Sequence, residues 1–153
     1  MAYEMRMERL FDAPPEVVFD AYVDPEVQQE IWENMMPGTR VVESKIDLRE
    51  GGMWTVDYAP VDGKSDKLTN VISVADRPHR LVLQQSYFAA AWGQTKETET
   101  TLTFEDQYGK TLLTILMTGF DSEQERGGAE AGLTGLLDGF QKIIASRVEG
   151  NAR

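Results

Sequence analysis

The sequence predicts an α+β domain: one antiparallel sheet of about seven strands curved around a single long C-terminal helix. Three observations predict it. From Ser122 to about Val148 the apolar residues Leu133, Leu136, Leu137, Phe140, Ile143, Ile144 and Val148 recur three and four apart, which is one stripe at helical period. From Val41 to Thr118 the period is instead two, broken by turn residues. A hairpin-connected sheet needs a cover for its buried face, and the terminal helix is the one long amphipathic element available.

In chain order, Tyr3 to Phe11 alternates, with Tyr3, Met5 and Met7 on one side and Glu4, Arg6 and Glu8 on the other, as a half-buried strand does. Ala13-Pro14-Pro15 ends the ladder, because proline has no N–H to donate, and suits the first turn of a helix. Val17, Val18, Ala21 and Tyr22 give that helix its face. Asp24-Pro25 starts a second helix, aspartate as cap and proline at the first position, with Val27, Ile31 and Met35 on its apolar side, until Pro37-Gly38. Strands follow at Val41 to Ile46, Met53 to Ala59, Leu68 to Ala75, Leu81 to Phe88, Thr98 to Phe104 and Thr111 to Thr118. Turns lie at Arg49-Glu50-Gly51-Gly52, Pro60 to Gly63, Asp76-Arg77-Pro78 and Gln107-Tyr108-Gly109, and Ala89 to Gly93 is a looser link. Ser122 and Glu125 have capping-box spacing at the start of the last helix. The order is β-α-α-β-β-β-β-β-β-α over residues 1–153, one domain.

Gly128, Gly132, Gly135 and Gly139 fall on one face of the last helix beside its apolar stripe. Each costs roughly 0.5–1 kcal/mol relative to alanine, so the set wants an explanation. Three stand open: close approach to the sheet, a face kept bare beside a cavity, or a fray or kink at Gly127-Gly128.

Composition excludes several classes of function. The formal charge is −11, from 15 Lys and Arg against 26 Asp and Glu, with no basic block, so phosphate backbones repel the chain and nucleic acid is not an expected partner. Cysteine is absent and histidine occurs once, which removes thiolate chemistry and leaves too few soft ligands for zinc or haem. Neither a Gly-x-Gly-x-x-Gly turn nor a phosphate loop is present. No cofactor is expected. The N-terminal Glu4, Arg6, Glu8 and Arg9 read as neither signal peptide nor anchor, and no window approaches the roughly 18 apolar residues of a membrane span. No membrane partner is expected, and the expected compartment is the cytoplasm.

Specific stretches resemble a known family: Arg9-Leu10-Phe11-Asp12-Ala13-Pro14-Pro15-Glu16-Val17-Val18-Phe19, Asp24-Pro25-Glu26, Asp47-Leu48-Arg49-Glu50-Gly51-Gly52, Pro78-His79-Arg80-Leu81-Val82 and Thr118-Gly119-Phe120. Their order resembles the helix-grip fold of the START-like superfamily, also called SRPBCC or birch-pollen-allergen-like. The branch is that of the C-terminal domain of Aha-type activators of the heat-shock ATPase. The resemblance implies a cavity between sheet and helix, which in relatives holds small apolar ligands, hosts varied chemistry, or is filled while the surface binds a chaperone. The family's tryptophan before the final stripe is replaced here by Leu133 after Gly132, and Trp32 alone answers its paired tryptophans.

The candidate site is one of binding. Trp32, Met35 and Met36 end the second helix, Trp54 and Tyr58 share a strand face, Tyr87 lies on another strand, and Gly132, Leu133 and Leu136 supply the helix side. They read either as packed core or as an aromatic and methionine-lined pocket. Trp92 reads as a lid or as a contact of a homodimer. Catalytic residues are not marked: His79 beside Pro78 reads as a turn residue, Glu97 and Glu99 as a solvated strand face, and no Gly-x-Ser-x-Gly elbow occurs. The leading expectation is a small hydrophobic ligand in the central cavity. The rivals are a chaperone or other protein partner of Aha type, and an enzyme using a tyrosine or carboxylate on an aromatic or polyketide-like substrate.

Overall fold

Short-range chemistry sets each helix start. Ser122 Oγ accepts from the Glu125 N–H at 3.1 Å and the Glu125 carboxylate accepts from the Asp121 N–H at 2.8 Å. Donors that a first turn leaves unpaired are thereby satisfied, and α3 runs unbroken from Glu123 to Asn151. Pro15 opens α1 (Pro15–Tyr22) with the Pro14 carbonyl accepting from Val17 and Val18. Asp24 Oδ1 caps α2 (Pro25–Met35) by accepting from the Glu26 N–H at 2.9 Å.

The computed structural model describes residues 3–35, 40–59, 66–89, 93–94 and 97–151, with side chains for 3–31, 43–57, 67–86 and 97–147. The strands are β1 (Tyr3–Phe11), β2 (Arg40–Ile46), β3 (Met53–Ala59), β4 (Asp66–Asp76), β5 (Arg80–Ala89), β6 (Gly93–Gln94), β7 (Thr98–Gln107) and β8 (Lys110–Phe120). They form one antiparallel sheet in the order β1-β8-β7-β5-β4-β3-β2, with β6 on β5. The helices α1 and α2 bridge the two edge strands in sequence, α2 packing on α3 and α1 against β7.

Periodicity alone misses two details. Gly93–Gln94 pairs with Ala89 and Phe88 as a two-residue strand, too short to carry a period. Tyr3 alternates with Met5 and Met7 in sequence, yet it is exposed while Met5 is buried, because the β1–β8 register shifts between Tyr3 and Glu4. The turn before β3 needs both its glycines. Gly51 has φ +82°, and a Cβ on Gly52 would collide with the Asp47 carbonyl oxygen.

The core closes around phenylalanines. Phe11 meets Phe140 at 5.2 Å between ring centroids, Phe19 meets Phe104 at 5.1 Å, and Tyr22 touches Phe104 at 6.4 Å and Phe140 at 5.5 Å. From α3, Leu137, Phe140 and Ile144 are buried and Leu133 half-buried. Arg9 pairs with Asp138 at 2.6 Å, tying β1 to α3 at the surface.

Gly128, Gly132 and Gly139 are not there for close contact with the sheet. A Cβ on Gly128 or Gly132 would meet nothing within 4 Å, and one on Gly139 would touch only Ile31 of α2 at 3.9 Å, an ordinary contact. The single face also changes surroundings along its length. Gly132 borders an inner cavity, while Gly135 and Gly139 border an open groove between α2 and α3.

Candidate functional site

Period two puts Trp54 and Val56 of β3, Leu68 and Asn70 of β4, Leu83 and Gln85 of β5, Thr100 of β7 and Met117 of β8 on the face that α3 covers. Together with Tyr22, Gln28, Ala129, Gly132, Leu133 and Leu136 they line a cavity of about 220 Å³. The register explains their grouping. Trp54 stands opposite Asn70 and Asn70 opposite Gln85, one row across three strands. The adjacent inward row runs Ile72, Leu83, Thr100, Met117, Met5. Thr100 is thus a single hydroxyl in a row of aliphatic side chains.

The wall is apolar but not uniformly so, and among the described residues it carries no Asp, Glu, Lys, Arg or His. Trp54 Nε1, Asn70 Oδ1 and Thr100 Oγ1 are buried without hydrogen-bond partners; the fourth such atom among the described residues, Ser44 Oγ, lies on β2 outside the cavity. Asn70 Nδ2 donates to the Trp54 carbonyl at 3.3 Å, which orients the amide and leaves Oδ1 as the free acceptor. Gln28 is committed elsewhere, donating to the Tyr22 carbonyl at 2.7 Å at the end of α1. Tyr22 lies edge-on to Trp54 at 5.9 Å between centroids, and burial pushes its phenol well above the usual tyrosine range, so it stays neutral.

A second depression, about 660 Å³ and open, lies between α2 and α3 against Glu30, Ile31, Asp138 and Lys142. No group of three or more histidine, aspartate or glutamate side chains is gathered as a metal site among the described residues. His79 is an exposed turn residue whose backbone pairs with Asp76 and Phe104. Glu97 and Glu99 are exposed, Glu99 accepting from Gln84 at 3.0 Å. No described helix is long and apolar enough to cross a membrane.

The family model described as Activator of Hsp90 ATPase homolog 1-like protein matches residues 12–145. The chain belongs to this family. Its fold is that of solved AHSA1-type structures in the START-like helix-grip superfamily. The AHSA1 protein from Silicibacter pomeroyi superposes with a TM-score of 0.79 at 18% identity, covering 95% of this chain and 99% of that one. The AHSA1-like protein from Aeromonas hydrophila gives 0.73 at 22% identity, covering 95% and 94%. A protein from Rhizobium leguminosarum gives 0.78 at 20%, covering 95% and 96%. Comparison with curated proteins returns no match.

Within this AHSA1-like domain, Trp54, Gly132, Leu133 and Leu136 come together on the wall of one cavity. Trp32 and Met35 lie in α2, Tyr58 in β3 opposite Asp66, and Tyr87 in β5 opposite Leu68, with backbone placement only. Met36 and Trp92 lie outside the described residues. The other ten lining residues, Tyr22, Asn70, Thr100 and Met117 among them, are not among the candidates the sequence offered. A signal was available for two of them. Asn70 alternates with Leu68 and Ile72, and Thr100 with Leu102 and Phe104, so each polar residue occupies an inward position of a strand.

Proposed function

We propose that this AHSA1-like protein binds one small, largely apolar molecule in the cavity bounded by Trp54, Met117, Leu133 and Leu136. The observation that carries the reading is the space itself: about 220 Å³ of mostly apolar volume stays open beside a core otherwise closed by phenylalanines packed edge to face. An apolar cavity of roughly 150 Å³ already holds benzene, so the volume suits a body of about one or two rings. Gly132 is exposed and also lines the cavity, which makes the bare backbone of α3 part of its mouth. The smaller Leu133, where the resembling family carries tryptophan, leaves that mouth less filled.

Fluorescence titration with the neutral probe N-phenyl-1-naphthylamine tests this reading, alongside native mass spectrometry of the freshly purified protein for a retained small molecule. Saturable binding at one site is expected, weakened about tenfold or more by Leu133→Trp. Absence of saturable binding, or unchanged binding in a folded Leu133→Trp protein, would overturn it and leave the protein-partner reading in its place.

A further inference from the structure

We propose, resting on the cavity reading above, that the ligand is uncharged and carries an amide-like edge, one hydrogen-bond acceptor beside one donor, on an apolar body. Charge is set first. Among the described residues no ionisable side chain other than the neutral Tyr22 lines the cavity, so a charged ligand would leave water with nothing there to compensate it.

The polar edge follows from the unpartnered atoms. Buried polar atoms are almost always hydrogen-bonded, and one left unmade costs more than an apolar replacement. Three of the four exceptions among the described residues belong to this one cavity wall. None of the three has surface open to water, so a ligand reaches them through a small rotation of the side chains that carry them. They are also chemically complementary as a set. The Trp54 indole offers a donor, and Asn70, its direct partner across the β3–β4 ladder, offers an acceptor. A donor and an acceptor on directly paired residues match the C=O and N–H of a carboxamide or lactam, whereas a carboxylate would place an acceptor against Asn70 Oδ1. Thr100 sits two strands away in the next row, too far to share that edge. Its hydroxyl, brought forward by one χ1 rotation that exchanges it with the methyl group, meets a second polar atom on the ligand body.

Three probes of matching shape test this: 2-naphthamide, 2-naphthoate and 2-isopropenylnaphthalene, titrated by calorimetry into the wild type and into Asn70→Leu and Thr100→Val. The wild type should prefer the amide over both others by about tenfold or more, the scale of one well-made hydrogen bond. Asn70→Leu should bring amide and hydrocarbon close to parity without weakening the hydrocarbon. Thr100→Val, nearly isosteric and the safer variant for folding, should leave the amide preference standing, because its hydroxyl serves a different atom. Equal binding of amide and hydrocarbon by the wild type would overturn the proposal while the cavity reading survives, the three atoms then being served by ordered water alone. Preference for the carboxylate would overturn it as well. Failure of all three probes to bind would overturn the cavity reading itself.

Discussion

The two ends of α3 meet the same sheet and do opposite things with it. Towards the C-terminus, Leu137, Phe140 and Ile144 are 0–1% exposed, and Phe140 meets Phe11 and Tyr22 ring to ring. Towards the N-terminus, Gly132 is exposed, Leu133 is half-buried, and the sheet opposite offers Trp54, Asn70 and Thr100 around open space. What differs is side-chain volume and polarity, not backbone. Where β1, α1 and β7 contribute phenylalanines the gap is filled; where β3, β4 and β7 contribute an amide and a hydroxyl beside a bare helix face it is not. Packing is concentrated at one end, which leaves space at the other. Tyr22 stands on the boundary, touching Phe104 and Phe140 on one side and Trp54 on the other.

The largest effect should come from emptying the packed end. Phe140→Ala should cost about 3–5 kcal/mol in urea unfolding, as for other fully buried aromatics, whereas Leu133→Ala should cost only about 1 kcal/mol, since half of that side chain is already unpacked. Equal costs would erase the contrast between the two ends. Next comes the boundary. Burial raises the Tyr22 pKa in the folded state, so the folded protein holds that proton more tightly than the unfolded chain. The associated stability is complete below the unfolded value of about 10 and is lost as pH climbs above it, by up to about 1.4 kcal/mol per pH unit. Urea midpoints between pH 9 and pH 11 should therefore fall more steeply for the wild type than for Tyr22→Phe; parallel curves would show that Tyr22 titrates freely.

How much of this contrast could be read from the sequence follows from what periodicity measures. The period-two runs and the stripe Leu133 to Ile144 gave strands, helix and their inward faces, because which face is buried is a local property. The cavity was legible only in part. Trp54 and Leu136 stood out as large apolar residues; strand period marks Asn70 and Thr100 as inward, but only the register sets them on the rows of Gln85 and of Met117, and register is a long-range property. The four helix glycines show the same limit. Their shared face was visible, but whether that face meets a sheet, a cavity or α2 depends on neighbours distant in sequence.

The polarity of the open end can be weighed against stability directly. Thr100 lies in an aliphatic row with its hydroxyl unpartnered, so Thr100→Val should stabilise the unliganded protein by about 1 kcal/mol, removing a desolvated hydroxyl while preserving shape. Differential scanning calorimetry reads the sign. A lower melting temperature would mean that an ordered partner already satisfies the hydroxyl without any ligand, and the wall would then be polar for structural reasons.

The smallest effect concerns the helix face at the mouth. A methyl on Gly132 meets nothing within 4 Å, so Gly132→Ala adds helix propensity without a clash. The gain should be up to roughly 1 kcal/mol, partly through the more restricted unfolded chain. Gly139→Ala should gain at most a similar amount, its methyl reaching Ile31 at 3.9 Å, a contact and not an overlap. The two substitutions then part company in binding. The Gly132 methyl stands at the cavity and should weaken N-phenyl-1-naphthylamine, whereas the Gly139 methyl stands over the groove against α2 and should leave the probe unaffected. Loss of stability in Gly132→Ala would mean that α3 lies closer to the sheet in solution than this arrangement allows. The open end would then be a second packed end, and the contrast between the two halves of the helix would fail.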